Sequence, residues 1–297
     1  MAYFARHACT ACYVVLSFVI HGTLLAEGTT FTTLPLLPGH CRAPAVDSNQ
    51  NHVDKSFGVT STGEGLQWEL NNQFSIPAGK KWSMFSCSWN YACGVTETGE
   101  GLCFGNAAQN AMAVPVGKTW LMISVKTAHS CGVTTSGEGL CWGSSGDGEL
   151  SVPTGKVWVS ITAGTSFSCG VTQTGEGHCW GKISNWAGMP SGKTWAMISC
   201  GEVNTCGVTT AGEGLCWGGG TNGENNVPSG KQWSMLQANG PATCGVTIQG
   251  EGLCWGYTGA YTGHTIPGGK TWAYISPGKA FPQYHSKTIG YSTALMF

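Results

Sequence analysis

Ten cysteines form five pairs with the same internal spacing, and this is the most chemically specific pattern in the sequence. Nine residues separate the two cysteines of each pair, as in CGVTTSGEGLC. The pairs are Cys93 and Cys103, Cys131 and Cys141, Cys169 and Cys179, Cys206 and Cys216, and Cys244 and Cys254. Metal ligands usually lie closer together or include His or Cys from a second element. The pattern therefore favours five disulfides over C-x9-C metal sites and over buried free thiols.

The segment between paired cysteines predicts a β-hairpin. Residues 135–137 (TSG) fit a three-residue loop, in which a type I turn is followed by a left-handed glycine. This loop places Cys131 opposite Cys141, at a non-hydrogen-bonded pair where side chains approach most closely. A two-residue loop would instead place Cys131 opposite Trp142. A further copy beginning at Phe57 lacks both cysteines, as expected if neither is useful alone.

The hairpin recurs at a nearly constant interval. Its first glycine appears every 36 to 38 residues, at Gly58, Gly94, Gly132, Gly170, Gly207 and Gly245. A second signature, such as VPTGKVW at 152–158, precedes an alternating segment with the period of a strand. Eleven of the 13 tryptophans belong to these two signatures, which indicates a packing role between units. A fixed period of this length is typical of solenoids, propellers and arrays.

We expect an all-β fold, a seven-bladed β-propeller built from repeats of about 38 residues with disulfide-stapled hairpins. The chain after residue 26 has room for about seven such units. A closed ring buries the strand edges that an open stack, the structural alternative, would expose. Residues 27–297 would be a single propeller domain. The segment 27–56 is expected to be irregular and to close the ring by pairing with C-terminal strands.

Residues 1–26 predict a secretory signal peptide. Arg6 and His7 precede an apolar run at 11–20, and Ala26 offers a plausible cleavage site. The alternative is an uncleaved membrane anchor, for which the apolar run is short. Export agrees with the cysteine pairs, since disulfides persist in oxidising compartments. We therefore expect a secreted, extracellular protein without stable membrane insertion after cleavage.

Three further cysteines follow residue 26, and the hairpin pattern does not pair them. They are Cys41, Cys87 and Cys200. Cys87 and Cys200 lie in units three apart, so a bond between them is disfavoured, and Cys41 could pair with either one. The remaining thiol would be free or would join a second chain.

The net charge does not indicate a nucleic-acid partner, and the motifs do not indicate an enzyme. The formal net charge is −1 and there is no basic run. The sequence has no nucleophile elbow, zinc-protease motif, P-loop or calcium loop, so we expect no catalytic residue, no cofactor and no metal.

The recurring lysines and glutamates should share one face and neutralise each other as a solvated rim. A ring that binds a charged partner is the alternative.

The repeat resembles a known family. The patterns W-x-x-I-S-x-G and C-G-V-T-x-x-G-x-G-x-C-W-G are similar to the repeats of the regulator of chromosome condensation (RCC1) family. They also resemble the β-lactamase-inhibitory propeller and plant receptor ectodomains with a Cys-Trp-Gly repeat. The resemblance covers about residues 57–276 and implies a seven-bladed propeller used for protein recognition. The units are shorter than the family's, and the family's histidine before the first cysteine occurs only as His129.

The loops opposite the lysines differ between units and hold candidate contact residues. Aromatic rings among Ser, Gly and Asn suit recognition, because they give contact area at small entropic cost. The candidates are Trp89, Tyr91, His129, Phe167, Trp186, Tyr257, Tyr261 and His264. The alternative is that some of these rings cap strand ends or plug the central channel.

These patterns favour a non-catalytic module that binds an extracellular protein through its variable loops. The second hypothesis is a lectin-like propeller whose aromatic rings stack on a glycan. The third is a hydrolase with a site assembled from several units, which would leave no linear motif.

Overall fold

The computed structural model describes residues 41–46, 52–59, 63–68, 75–88, 90–106, 110–182, 188–256, 271–276 and 293–296. Within these ranges the chain forms antiparallel sheets that follow one another in sequence order. No helix in them has the length and apolarity that a membrane crossing requires.

Most sheets contain three consecutive strands. The first contains β1 (Cys41–Val46), β2 (His52–Val59) and β3 (Gly65–Trp68). Five units with disulfides follow: β4 (Trp82–Cys87), β5 (Tyr91–Thr96) and β6 (Gly101–Gly105); β7 (Trp120–Lys126), β8 (His129–Thr134) and β9 (Gly139–Gly143); β10 (Trp158–Ala163), β11 (Phe167–Thr172) and β12 (Gly177–Gly181); β13 (Trp195–Cys200), β14 (Asn204–Thr209) and β15 (Gly214–Gly218); and β16 (Trp233–Asn239), β17 (Ala242–Thr247) and β18 (Gly252–Gly256). The last sheet pairs β19 (Trp272–Ser276) with β20 (Thr293–Met296). The seven described sheets are consistent with the seven blades predicted.

The N-terminal segment differs from the expectation. Part of the range 27–56 is not irregular, because it contains β1 and the start of β2. β1 pairs with β2, and β20 pairs with β19, so the described strands do not show the predicted pairing between the two chain ends. Each end instead contributes to its own sheet, and closure of the ring stays a prediction.

The hairpin register and the five disulfides are confirmed. Cys131 faces Cys141, as the three-residue loop requires, and the Cα atoms of all five bonded pairs are 4.0 Å apart. Hydrogen-bonded antiparallel pairs are wider, at about 5.5 Å. Gly137 closes the loop with φ +83°, and its N–H donates to the Thr134 carbonyl at 2.9 Å. The left-handed glycine therefore sets the register that brings the thiols together.

Five first-strand tryptophans, Trp82, Trp120, Trp158, Trp195 and Trp233, each pack over two glycines from different sheets. Trp120 is 2% exposed and contacts Gly132 in its own sheet and Gly101 in the preceding one. A Cβ added at either glycine would lie 2.7 Å from a Trp120 ring atom. The two glycines of the hairpin thus leave bare backbone for the indole ring. The packing role predicted for the periodic tryptophans is confirmed for those whose side chains the structure describes.

Gly132→Ala is expected to lower the free energy of unfolding by about 1–3 kcal/mol, because overpacking shifts neighbouring groups. The added methyl group would also lie 2.8 Å from the Met122 carbonyl oxygen, which belongs to the backbone and yields little. Gly146→Ala is the control, because a Cβ there meets nothing within 4 Å. Urea unfolding followed by circular dichroism measures both variants, and equal stabilities would contradict this packing.

Hydroxyl groups join the first strands of neighbouring sheets. The N–H groups of Val125, Ala163 and Ala238 donate to Ser86 Oγ, Ser124 Oγ and Ser199 Oγ at 3.0, 3.1 and 3.2 Å. In each case the serine belongs to the preceding sheet. These bonds satisfy N–H groups at the innermost strand edge, which would otherwise be open to pairing.

Candidate recognition face

The strand directions give the protein two ends with different sequences. The first strand of each sheet runs from the turn that carries a repeated lysine, which we call the lysine end, to the opposite end, which we call the loop end. The second strand returns, and the third runs to the loop end again. The connections at the loop end are the ones that differ between units.

The lysine end is a rim of neutralised charges. In five units a lysine Nζ lies 2.6–3.1 Å from the Oε2 of a glutamate twenty residues later. The pairs are Lys80 and Glu100, Lys118 and Glu138, Lys156 and Glu176, Lys193 and Glu213, and Lys231 and Glu251. The interpretation as a mutually neutralising rim is confirmed for these pairs.

Lys118→Met is expected to change the free energy of unfolding by less than about 1 kcal/mol, as for other exposed ion pairs. Lys118 and Glu138 are both partly exposed, so water already solvates much of their charge. A double-mutant cycle with Glu138→Gln gives the coupling energy of the pair. A coupling above about 2 kcal/mol would contradict a solvated rim.

Three of the candidate contact residues lie inside the protein. Tyr91, His129 and Phe167 are 0%, 1% and 2% exposed, and they begin the middle strands of three successive sheets. This differs from the expectation of an exposed contact surface, because neighbouring sheets cover these rings. They fit the alternative role of closing the strand ends, and their burial keeps them out of any contact surface.

These buried residues form polar links between sheets. Tyr91 Oη lies 2.8 Å from the Lys126 carbonyl oxygen and 3.0 Å from that of His129, and it donates to this carbonyl pair. His129 Nε2 lies 3.0 Å from Ser168 Oγ, and Ser168 in turn donates to the Glu149 carbonyl at 3.1 Å. The links connect three sheets, which is why polar side chains are retained at positions so deeply buried.

The ionisable groups of this cluster are each held in one protonation state near neutral pH. Burial raises the pKa of Tyr91 to about 12 and lowers the pKa of His129 to about 4. Burial alone would raise the pKa of Glu149, but backbone N–H donors, including those of Asp147 and Gly146, outweigh it and lower that pKa. None of these groups therefore has the pKa near 7 that a general acid or base uses.

Protonation of His129 is expected to make stability depend on pH. The folded-state pKa is about 4 against 6.5 for the free side chain, so the unfolded chain binds more protons between these values. Stability should therefore fall as the pH falls from about 6.5 towards 4. His129→Asn, which installs the residue that Asn204 supplies at the same register position, should remove part of this fall between pH 7 and 5.

The matched control for this pH dependence is His178→Asn. His178 is a partly exposed histidine at the lysine end, so its loss should leave the effect of the buried histidine in place. Urea unfolding at several pH values gives the comparison. An unchanged pH dependence in His129→Asn would contradict a neutral, buried His129.

The described surface of the loop end is polar, with one exposed aliphatic side chain. Val203 is 51% exposed at the tip of the β13–β14 connection, and Thr127 and Thr165 are exposed at the equivalent tips. Lys126 Nζ donates to Asn239 Oδ1 at 2.9 Å. This bond joins the ends of β7 and β16, three sheets apart, and so spans the centre of the loop end.

Five other candidate residues lie outside the described residues. They are Trp89, Trp186, Tyr257, Tyr261 and His264. Their part in binding stays a prediction. In the described part of the chain, no three His, Cys, Asp or Glu side chains are grouped so that they could hold a metal ion.

Sequence reasoning missed two buried glutamates that organise loops at this end. Glu149 accepts the N–H of Asp147 at 2.8 Å, and Glu224 accepts that of Asn222 at 2.7 Å. Their carbonyl oxygens each accept an indole N–H, from Trp180 and Trp255, both at 2.9 Å. The signal was the recurring Asp/Asn-Gly-Glu sequence, which places a carboxylate over the N–H groups of its own turn.

Solved structures with the same fold are β-propellers. The CRINKLY WD40 ectodomain of the Arabidopsis thaliana receptor kinase ACR4 has a TM-score of 0.65 and 20% identity, over 81% of this chain and 88% of that chain. The ectodomain of the Physcomitrella patens receptor kinase CR4 also has a TM-score of 0.65 and 20% identity, over 79% of this chain and 67% of that one. Yeast RCC1 (Prp20), solved bound to Kap60, has a TM-score of 0.61 and 11% identity, over 86% and 93%.

No protein-family model matches the sequence, and no curated protein is similar to it at the sequence level. The likeness at these identities concerns the fold. Successive antiparallel sheets, tryptophans packed between them and these structural neighbours agree with one another. The chain therefore has the fold of an RCC1-like β-propeller.

Proposed function

We propose that this protein is a secreted, non-catalytic β-propeller that binds an extracellular protein through its loop end. The observation that carries the proposal is the difference between the two ends. The lysine end repeats the same ion pair in five units, while the loop end differs in every unit. Recognition of one partner needs a surface that is not repeated, and loops on a rigid scaffold commonly provide it.

The structural neighbours support a protein as the partner. Two are ectodomains of receptor kinases, and yeast RCC1 was solved bound to Kap60. A non-catalytic recognition module needs a stable framework, and it needs no group whose pKa is shifted to near 7 for acid–base catalysis. The buried Tyr91, His129 and Glu149 described above fit that requirement.

Secretion is supported by the hairpin disulfides and by the sequence of residues 1–26. Five disulfides in one chain suit an oxidising compartment. A signal peptide at 1–26 would direct the following propeller domain, residues 27–297, into the secretory pathway.

The proposed contact surface combines exposed residues of the loop end with aromatic side chains predicted from the sequence. Val203 and Thr165 lie on its described part. The aromatic members are Trp89, Trp186, Tyr257, Tyr261 and His264. Aromatic anchors among small polar residues are the usual composition of a binding hot spot.

The test compares variants of the two ends of the full chain. Immobilised wild type, Val203→Glu, Trp186→Ala and the lysine-end control Lys118→Met are incubated with extracellular medium, and retained proteins are identified by mass spectrometry. We expect a protein that the wild type and Lys118→Met retain and that both loop-end variants lose at least tenfold.

Two outcomes would contradict this function. Loss of the retained protein in Lys118→Met but not in the loop-end variants would move the binding surface to the other end. Strong binding on a glycan array that is lost in Trp89→Ala or Trp186→Ala would instead favour the lectin-like alternative. Circular dichroism of each variant shows that the fold is kept.

A further inference from the structure

Where the first strands of neighbouring sheets lie side by side, one residue of the earlier sheet contacts one residue of the next. We call the first the hydroxyl position, because it holds Ser86, Ser124, Thr162 or Ser199. We call the second the facing position, and it holds Val125, Ala163, Cys200 or Ala238 in the same order. Three of these pairs are joined by a backbone N–H that donates to a serine Oγ. In the remaining pair, Thr162 Oγ1 lies 3.2 Å from Cys200 Sγ. Side chains at these two positions therefore reach each other.

The strand register places Cys41 at the hydroxyl position of the first sheet. Cys41 pairs with Phe57 in the same way that Ser86 pairs with Cys93 in the second sheet. Phe57 in turn pairs with Gln67, as Cys93 pairs with Cys103. The first sheet therefore follows the alignment of the other units, with Cys41 in the place of Ser86.

The same alignment places Cys87 at the facing position of the second sheet. Cys87 pairs with Ala92 as Val125 pairs with Ser130 in the third sheet. β1 also lies against β4, the strand that carries Cys87. Cys41 and Cys87 are thus related to each other as Thr162 is to Cys200.

Cys87 is disulfide-bonded, and the hairpin cysteines are bonded to each other. Cys200 is a free, buried thiol. The sequence then leaves Cys9, Cys12 and Cys41 as partners for Cys87, and the first two lie in the predicted signal peptide. We infer that Cys41 and Cys87 form a disulfide that joins the first sheet to the second.

This bond forms by the same chemistry as the five hairpin disulfides. The thiolate of one cysteine attacks the disulfide of a protein oxidant, forming a mixed disulfide and releasing one thiol of the oxidant. The second thiolate then attacks the cysteine sulfur of the mixed disulfide and displaces the other thiol. Cys41 and Cys87 lose two electrons and two protons in total, and the oxidant leaves as a dithiol.

The inferred bond has a structural purpose. The first sheet contains the hairpin with Phe57 and Gln67, so it has no disulfide of its own there. A bond to the second sheet attaches this unit covalently to its neighbour. Reduction would then remove this cross-link between the first two sheets as well as those within the hairpins.

Peptide mapping without reduction tests the pairing in the secreted chain. Free thiols are alkylated in denaturant before proteolysis, and linked peptides are identified by mass spectrometry. We expect a peptide pair that contains Cys41 and Cys87, with alkylation at Cys200. In Cys41→Ala, Cys87 should become alkylated. A bond from Cys87 to any other cysteine, or a Cys87 that stays blocked in Cys41→Ala, would overturn the inference.

A second variant tests whether the two register positions support a disulfide without using the N-terminal strand. Thr162→Cys should bond to Cys200, so that neither thiol is alkylated. Ser124→Cys is the control, because Ala163 faces it and both the new thiol and Cys200 should remain reactive. Full alkylation of both the introduced thiol and Cys200 in Thr162→Cys, read as two labelled peptides, would overturn the positional argument.

Discussion

Trp158→Ala is expected to lower the free energy of unfolding by about 3–5 kcal/mol, the usual cost of removing a large buried aromatic side chain. Trp158 is 2% exposed. Its ring covers Gly170 in its own sheet and Gly139 in the preceding one, where an added Cβ would lie 2.7 and 2.6 Å from ring atoms. It also packs against Trp180, with ring centroids 5.5 Å apart. Glycines have no side chains that could fill the cavity, so the site cannot easily collapse.

The measurement is urea unfolding followed by far-ultraviolet circular dichroism, because the substitution alters tryptophan fluorescence. Val157→Ala is the matched control: the neighbouring side chain is 50% exposed, and its truncation should change stability by about 0.5 kcal/mol or less. Trp158→Phe should fall between the two, since a smaller ring still covers part of the glycine backbone. A loss below about 1 kcal/mol in Trp158→Ala would show that this ring does not hold the sheets together.

Removing one hairpin disulfide is expected to lower the free energy of unfolding by about 3 kcal/mol, because a disulfide that closes a loop of this length reduces the conformational entropy of the unfolded chain. The variant is Cys131→Ala with Cys141→Ala. Cys131 is fully buried, and the bond closes a hairpin whose two cysteines are ten residues apart. Thermal unfolding of this variant and of the wild type, each with and without a reductant, measures the effect.

Cys200→Ala is the control for the loss of a buried sulfur atom, because that thiol is free. We expect it to cost less than the double variant, and its response to the reductant should match that of the wild type. The double variant should respond less to the reductant, since one of its bonds is already absent. Equal stability of the double variant and the wild type would contradict a stabilising disulfide.

The hairpins could be predicted from the sequence because their geometry is local. A three-residue loop ending at Gly137 leaves one register, and that register pairs Cys131 with Cys141. The period of the glycines and tryptophans likewise fixes how sheets stack, since an indole ring needs bare backbone on both sides. The stacking of neighbouring sheets could therefore be predicted from the repeated glycines and tryptophans.

The candidate site was predicted less well, because burial depends on the neighbouring sheet. Tyr91, His129 and Phe167 follow variable loops, so they read as loop residues, yet each begins a strand that the next sheet covers. The partner that covers His129 is Ser168, 39 residues later. A pattern within one unit does not show such a contact, although the repeat offset between units could have suggested it.

The strand β1 was also missed, for a different reason. Its sequence CRAPAV contains Pro44, which has no N–H to donate, and it carries none of the repeat signatures. It pairs because β2 presents an open edge that a neighbouring segment can satisfy. Context, rather than intrinsic preference, makes this segment a strand.

The tryptophan junction makes the units interchangeable. The indole rings of Trp82, Trp120, Trp158, Trp195 and Trp233 each meet two equivalent glycines, one from their own sheet and one from the sheet before it, so the described units between them present the same two packing surfaces. Duplication, loss or exchange of a whole unit therefore leaves matching flanks behind. The loops of one unit can also change on their own, because the contacts between tryptophan and glycine that join neighbouring units lie in the strands.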